Sequence, residues 1–453
     1  MPAQRDSFGR TCAALAVLCG YAELSPMATA PRQFDVIVLG AGAAGLMCAA
    51  PAGLRGRRVA LLEHNGQAGR KILISGGGRC NFTNLHCGPG NFISENPHFA
   101  KSALALYEPR HFIELVERYG IRWHEKTLGQ LFCDGSARTI LDMLLEECER
   151  GGVEVVLNAR EIAVEASSSG FRVSSSHGEF WAESLVVATG GLSIPKLGAT
   201  GLGYELAAQF GLNVIEPRPA LVPLVLGGDE AGWTELAGVA ADVVAWAEPG
   251  FEKHPSGAKA QAHSAGSTYG LKPVPFKELK SVRFREKMLV THRGLSGPAV
   301  LQASSYWRPG EALLLNFLPE LAAQADLFDG LKQPGARRDL VALRRALREV
   351  LPQRLANYLA EIGGPKGWSN AALEECERRL RRWEFNPVGT EGFEKAEVTA
   401  GGVDTRELQA RTMEARSAPG LFFIGEAVDV TGQLGGFNFQ WAWASGVAAG
   451  RAV

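Results

Sequence analysis

Short apolar runs closed by glycine set the pattern of this chain. Residues 34–39 (FDVIVL) are continuously apolar, which suits a parallel strand buried on both faces. The run stops at Gly40. An Ala/Gly-rich helical stretch follows to about residue 55, and a second strand, 58–62, ends in Glu63. Pro51 falls inside that helix and is expected to kink it. Residues 153–188 alternate short β-like runs with Ser/Gly turns, which predicts an antiparallel meander returning to the main sheet. A helix is expected over 204–210. From about 216 to 320 the runs LVPLVL, VAADVVAWA, MLVTH and ALLLNFLP predict a β-rich, partly barrel-like lobe, with 249–280 as a long exposed loop. From about 321 to 390, Leu/Arg periodicity predicts amphipathic helices with solvated arginine faces. A last buried-type strand, 421–424, precedes a helix over about 439–449, in which Trp441 and Trp443 read as core.

The strand–helix–strand unit over 34–63 and the closing strand and helix predict an α/β, Rossmann-like domain, which the resemblance given below makes one of the two-dinucleotide-fold, glutathione-reductase type. It is split into 34–215 and 395–453, and interrupted by the β-rich lobe (216–320) and a small helical insert (321–394). Residues 1–33 are set aside. Arg5 and Arg10 precede TCAALAVLCGYA and an A-x-A at 28–30, the outline of a secretory signal. The other reading is an upstream extension, with Met27 (MATAPRQFDVIVLGAG) as the natural opening.

The chemistry begins at Gly40-Ala41-Gly42-Ala43-Ala44-Gly45. This GxGxxG follows a strand, opens a helix, and has Glu63 18 residues after its last glycine. Gly40 allows the tight turn, Gly42 lets backbone approach a pyrophosphate, and Gly45 lets helix and strand pack closely. The helix start offers unpaired N–H groups to phosphate, and Glu63 is placed to accept from an adenosine ribose. A second cluster reads GRKILISGGGRCNFTN over 69–84. Gly76, Gly77 and Gly78 favour neither helix nor strand, and with Arg70, Lys71, Ser75, Arg79 and Asn81 they suit a loop wrapped on a ligand.

That second run resembles the signature of the BaiN/YhiN-like (aminoacetone-oxidase-like) bacterial FAD-binding flavoproteins. The resemblance implies that it lies beside the flavin. A strand closing on Ala188-Thr189-Gly190-Gly191 is similar to the second fingerprint of two-dinucleotide-fold flavoproteins, though Leu202 stands where the family more often carries Asp. Residues 421–446 (LFFIGEAVDVTGQLGGFNFQWAWASG) and 399–403 (TAGGV) are similar to the family's closing motifs. These imply that Gly425 and Glu426 meet the ribityl chain. The helix start at Gly435, Gly436, Phe437 and Asn438 then stabilises charge on the reduced flavin. Residues 291–298 (THRGLSGP) also resemble the family, with His292 as the candidate catalytic residue and Ser296 behind it.

The expected activity is FAD-dependent hydride transfer between flavin N5 and a small organic substrate, with NAD(P)H as a transient co-substrate. Amine oxidation using oxygen, flavin-dependent RNA modification and non-catalytic redox sensing stay open.

Composition narrows this only in part. Lys+Arg number 47 against 48 Asp+Glu, a net charge of -1, which argues against a nucleic-acid partner. No apolar run is long enough to span a membrane. The eight cysteines form no CxxC pair, so no metal is expected, and they read as reduced thiols of a cytoplasmic protein. Cys80, the thiol nearest the expected flavin, reads as structural. Oligomeric state is left open. The 54 glycines exceed average usage, and 19 of them fall in six stretches totalling 41 residues, where backbone is expected against a dinucleotide.

Overall fold

The computed structural model describes residues 31–248, 282–322 and 325–453. The two readings of the N-terminal extension and the expected loop over 249–280 lie outside the described residues. Arg32–Gln33, set aside with the extension, pair in parallel with Phe180–Trp181 at the meander's edge.

Five parallel strands form the central sheet: β1 (Val36–Leu39), β2 (Val59–Leu62), β3 (Glu154–Val156), β4 (Ser184–Val187) and β5 (Leu421–Phe423). Their spatial order is β5-β4-β1-β2-β3. The chain leaves β1 towards β2 on one side, while β4 and β5 join on the other. The switch point therefore lies between β1 and β4, where a ligand crevice opens in such sheets. The meander of Ala163–Ser167, Gly170–Ser175 and Gly178–Ala182 lies between β3 and β4 in the chain, as its turn spacing predicts.

Helix α1 (Ala43–Leu54) and the last helix α2 (Phe437–Ala452) cross in close contact. Two glycines one turn apart allow it: a Cβ on Gly446 would lie 2.6 Å from the Ala44 carbonyl, and one on Gly450 would lie 2.4 Å from that of Cys48. Pro51 does not break α1. It falls in the last turn, where its missing N–H costs α1 one bond, to the Met47 carbonyl, and its ring lies against Gly450.

Among the described residues the inserted lobe forms a seven-stranded antiparallel sheet. Its two edge strands, Trp383–Phe385 and Gly389–Thr390, are only a few residues apart in the chain. The sheet must therefore curl until its edges nearly meet, the barrel-like form the sequence predicts. Trp233 fills the interior, stacked on Phe317 and edge-on to Phe385. Helices Leu340–Arg348, Gln353–Gly363 and Asn370–Arg381 close this second core. A two-stranded ribbon, Val214–Ala220 against Val398–Val403, carries the chain out to the lobe and back.

Candidate functional site: a dinucleotide cradle closed by the inserted lobe

A cavity of about 990 Å³ opens at the switch point and runs to the inserted lobe. Eighteen of the 22 cofactor-site residues expected from sequence line it. Gly45, Gly78, Arg79 and Phe437 do not. Gly45 serves packing alone: a Cβ there would sit 1.9 Å from the Gly40 carbonyl. Phe437 is buried edge-on against Phe92, and Arg79 is exposed. His292 is also absent from the wall. The Thr291 hydroxyl accepts from the Arg293 and Gly294 N–H groups, and this turn holds His292 in solvent. The expectation that it faces the flavin is corrected accordingly.

At one end of the cavity, Gly40 has φ +105°, and a Cβ there would lie 2.5 Å from the Ala188 carbonyl. Gly42 has ordinary backbone angles, and a Cβ there would meet nothing within 4 Å. The space it leaves belongs to the cavity. First-turn N–H groups of α1 have no intrahelical partner and open into the same space. Glu63 Oε2 accepts from the Ala41 N–H at 2.9 Å, and its Oε1 accepts from the Asn65 backbone and amide. The carboxylate is thus fixed at the end of β2 with capacity for one more donor.

Two buried polar atoms on this wall, Thr189 Oγ1 and His64 Nε2, have no hydrogen-bond partner among the described residues. Such atoms are rare and call for a ligand or water. The glycine cradle, the aimed helix start, the fixed acid and the orphaned donors together fit a dinucleotide such as FAD.

Residues 69–84 divide in two. Arg70–Ile74 is a helical turn, which the sequence reading did not foresee, and Gly76, Gly77 and Gly78 then take φ of +57°, +67° and +83°. Arg70 spends its guanidinium on the Asn65 side chain and the Leu197 carbonyl, tying two loops of the cradle together. Lys71 donates to Ser193 Oγ and Glu426 Oε2, each at 2.7 Å, while Glu426 Oε1 accepts from Ser193 Oγ and the Thr399 N–H. Burial opposes ionisation of Glu426, but the Lys71 ammonium and these donors outweigh it and hold the carboxyl below the usual glutamate range. Ser193 and Thr399 are therefore structural keys of the site. They follow the ATGG and precede the AGG glycines, the only sequence signal that marks them.

At the start of α2, Gly436 has φ +94°, and a Cβ there would lie 2.4 Å from the Thr83 carbonyl. Oriented to satisfy its neighbours, the Asn81 amide accepts from the Gly436 N–H and donates to the Leu131 carbonyl. Asn438 closes the loop by pairing with both backbone groups of Gly432. Trp441 and Trp443 are buried, with indole N–H groups donating to the Gly425 and Phe82 carbonyls. Cys80 is buried and its thiol is pushed up by burial, as a structural cysteine requires.

The far wall comes from the lobe and its ribbon: Leu221, Glu286, Pro298, Glu397 and Val398. The two acids escaped the sequence reading. Burial raises both carboxyls, and at Glu397 the Lys71 ammonium partly opposes this.

The HI0933-like protein Rossmann domain family matches residues 34–452. The chain belongs to this family. It is an FAD-dependent oxidoreductase with a Rossmann-type FAD-binding domain. Among the HI0933-like relatives, the ribosomal RNA dihydrouridine synthase of Escherichia coli (strain K12) is 47% identical, covering 93% of this chain and 98% of that protein. The protein of the same name from Haemophilus influenzae is 40% identical over 92% of this chain and 98% of its own. The 3-dehydro-bile acid delta(4,6)-reductase of Clostridium scindens is 29% identical, again over 92% and 98%. No helix among the described residues is long and apolar enough to cross a membrane, and no group of them is arranged to hold a metal.

Proposed function

We propose that this protein is an FAD-dependent reductase that saturates the C5–C6 bond of a uridine in ribosomal RNA, with NAD(P)H as the electron source. The observation that carries the reading is the 47% identity to the Escherichia coli ribosomal RNA dihydrouridine synthase, which runs through nearly the whole of both chains. The Clostridium scindens relative is also named a reductase, so reduction is common to all three names.

Bound FAD supplies the hydride. The chain's own residues do the rest. The first turn of α1 and Glu63 hold the dinucleotide by its phosphates and ribose. Lys71, Ser193 and Glu426 fix the middle of the cradle. The start of α2 stabilises negative charge at the ring end. The lobe wall then faces the substrate. A uracil must leave its stack to enter such a cavity, as bases do in enzymes that act on them.

The expectation of no nucleic-acid partner rested on net charge. That number averages over the whole surface, whereas Lys126 and Arg160 lie along this cavity. In the helical insert, Arg344, Arg378, Arg381 and Arg382 do not add to the reading, because they are paired with Glu361, Glu375, Glu377 and Glu248.

The test uses ribosomal RNA from a strain lacking its own rRNA dihydrouridine synthase. The FAD-loaded protein is added with NADH or NADPH, and nucleosides are analysed by mass spectrometry. A uridine heavier by two hydrogens at one site is expected. Flavin that is reduced by NAD(P)H but transfers nothing to the RNA overturns the reading. Flavin bleached by amines instead supports the oxidase alternative.

A further inference from the structure

We propose that Glu286 is the proton donor of this reductase, protonating the substrate at the carbon next to its carbonyl. The inference rests on the C=C reductase reading above and assigns that site its acid.

Strand Phe284–Val290 alternates, and residues 284, 288 and 290 are buried apolar side chains. Glu286 shares their face, so a single carboxyl stands in an apolar row at the cavity wall. It is held there by a defined chain of bonds. The Leu434 N–H donates to Gln302 Oε1 at 2.9 Å, and Gln302 Nε2 donates to Glu286 Oε1 at 3.1 Å. Leu434 adjoins Gly435 and Gly436 at the start of α2, so this chain ties Glu286 to the ring end of the cradle.

Among the described residues, no lysine or arginine bonds to Glu286. On its own strand, Arg285 pairs with Glu320, and Lys287 lies on the other face opposite Asp242. Strand Gly294–Ser296 and helix Pro298–Ser304 carry no titratable group. Segment Gly228–Leu236 contributes only Asp229, Glu230 and Glu235, all acidic. Across the cavity, Lys71 is engaged by Glu426. Only the Gln302 amide favours the ionised form of Glu286; burial outweighs it and raises the carboxyl. Glu397, by contrast, has Lys71 as a nearby cation.

The step balances. Hydride adds to C6, the C5–C6 π pair moves onto the C4 carbonyl as an enolate, and the Glu286 O–H proton passes to C5. Glu286 is left as carboxylate and regains a proton from water. The sum consumes NAD(P)H, one proton and uridine, and yields NAD(P)+ and dihydrouridine.

The test separates the half-reactions. Glu286→Gln keeps the shape and the Gln302 contact, and FAD occupancy and the rate of flavin reduction by NAD(P)H are expected to match wild type. Reoxidation of the reduced enzyme by rRNA should fall at least ~100-fold, with partial recovery in Glu286→Asp. The wild-type reoxidation rate should decline as pH rises through the Glu286 pKa, and the Gln variant should lose that limb. Independently, holoenzyme labelled with ¹³C-carboxyl glutamate, compared with the Gln variant, should show this carboxyl titrating above free glutamate. A Gln variant within threefold of wild type, or a carboxyl that titrates at or below free glutamate, overturns the proposal. If the wild type makes no dihydrouridine, the RNA reading has failed, and the carboxyl titration still decides Glu286.

Discussion

Two glycines three residues apart should fail in opposite ways. Gly42 has φ -82° and ψ -169°, which any residue adopts, and a Cβ there meets no protein atom within 4 Å. Gly42→Val should therefore leave the apoprotein's melting temperature within about a degree of wild type. Its methyls occupy the space for the pyrophosphate. Losing two N–H to phosphate bonds at about 1.5–3 kcal/mol each removes about 3–6 kcal/mol, roughly a 100- to 10,000-fold weakening of FAD binding. Gly45→Ala is the converse. Its Cβ would lie 1.9 Å from the Gly40 carbonyl, more than 1 Å inside the 3.0 Å that real Cβ contacts respect. Alanine gains roughly 0.5–1 kcal/mol over glycine inside a helix. Overpacking costs about 1–3 kcal/mol or more, and here one partner is backbone that cannot rotate away. A net loss of about 1–2 kcal/mol is expected in the apoprotein. The assay is the flavin-to-protein absorbance ratio after purification, together with thermal and urea unfolding of apoprotein. A yellow, stoichiometrically loaded Gly42→Val, or a Gly45→Ala apoprotein as stable as wild type, would refute this division of roles.

Further outcomes follow from the same geometry. Lys71→Met removes the cation of the partly buried Glu426 and should lower apoprotein stability by about 1–3 kcal/mol. Adding Glu426→Gln should restore part of it, and additive urea midpoints would show that the pair is not coupled. Asp429 is raised to about 6 by burial, with the Glu95 and Asp404 carboxylates adding to it against the Glu95 N–H and Arg218. An unfolded aspartate titrates near ~3.9, so the folded form binds the proton more readily. Wild-type stability relative to Asp429→Asn should therefore fall as pH rises from about 4 through about 6 and then level off. Parallel pH curves for the two proteins would contradict this. His292→Ala should keep dihydrouridine formation and flavin reduction within twofold, since the side chain lies in solvent, and a tenfold loss would return His292 to the site.

The fold was legible where periodicity and glycine spacing agree. β1 to β2, the meander, the curled lobe and the last helix each have a repeat of their own, and the GxGxxG names the roles of Gly40, Gly42 and Gly45 without reference to anything distant. Helix Arg138–Arg150, which packs on α1, passed unread because no motif drew attention to its amphipathic repeat. The site was legible only as far as backbone makes it. Ser193 and Thr399 act through bonds to residues far along the chain, and only their places beside the ATGG and AGG glycines mark them. His292 shows the reverse error, since a chemically attractive side chain in a family-like motif belongs to an ordinary turn.

Glu286 was open to a sequence reading of another kind. In Phe284-Arg285-Glu286-Lys287-Met288-Leu289-Val290, the period of two puts Phe284, Met288 and Val290 on one face and drops an acid among them. A purely structural strand has no use for a carboxyl there. Burying it unpaired costs several kcal/mol unless it is neutral or hydrogen-bonded, and polar exceptions in an apolar row cluster at functional sites. The lobe that carries it also forms the cavity's far wall, so the glycine cradle and the wall opposite it come from different parts of the chain. Glycine motifs locate the first, because a dinucleotide is held mostly by backbone. The second depends on which side chain breaks the strand's pattern. That is why sequences sharing the cradle can carry different substrates, and why Glu286, rather than any motif glycine, is the residue through which to test the chemistry.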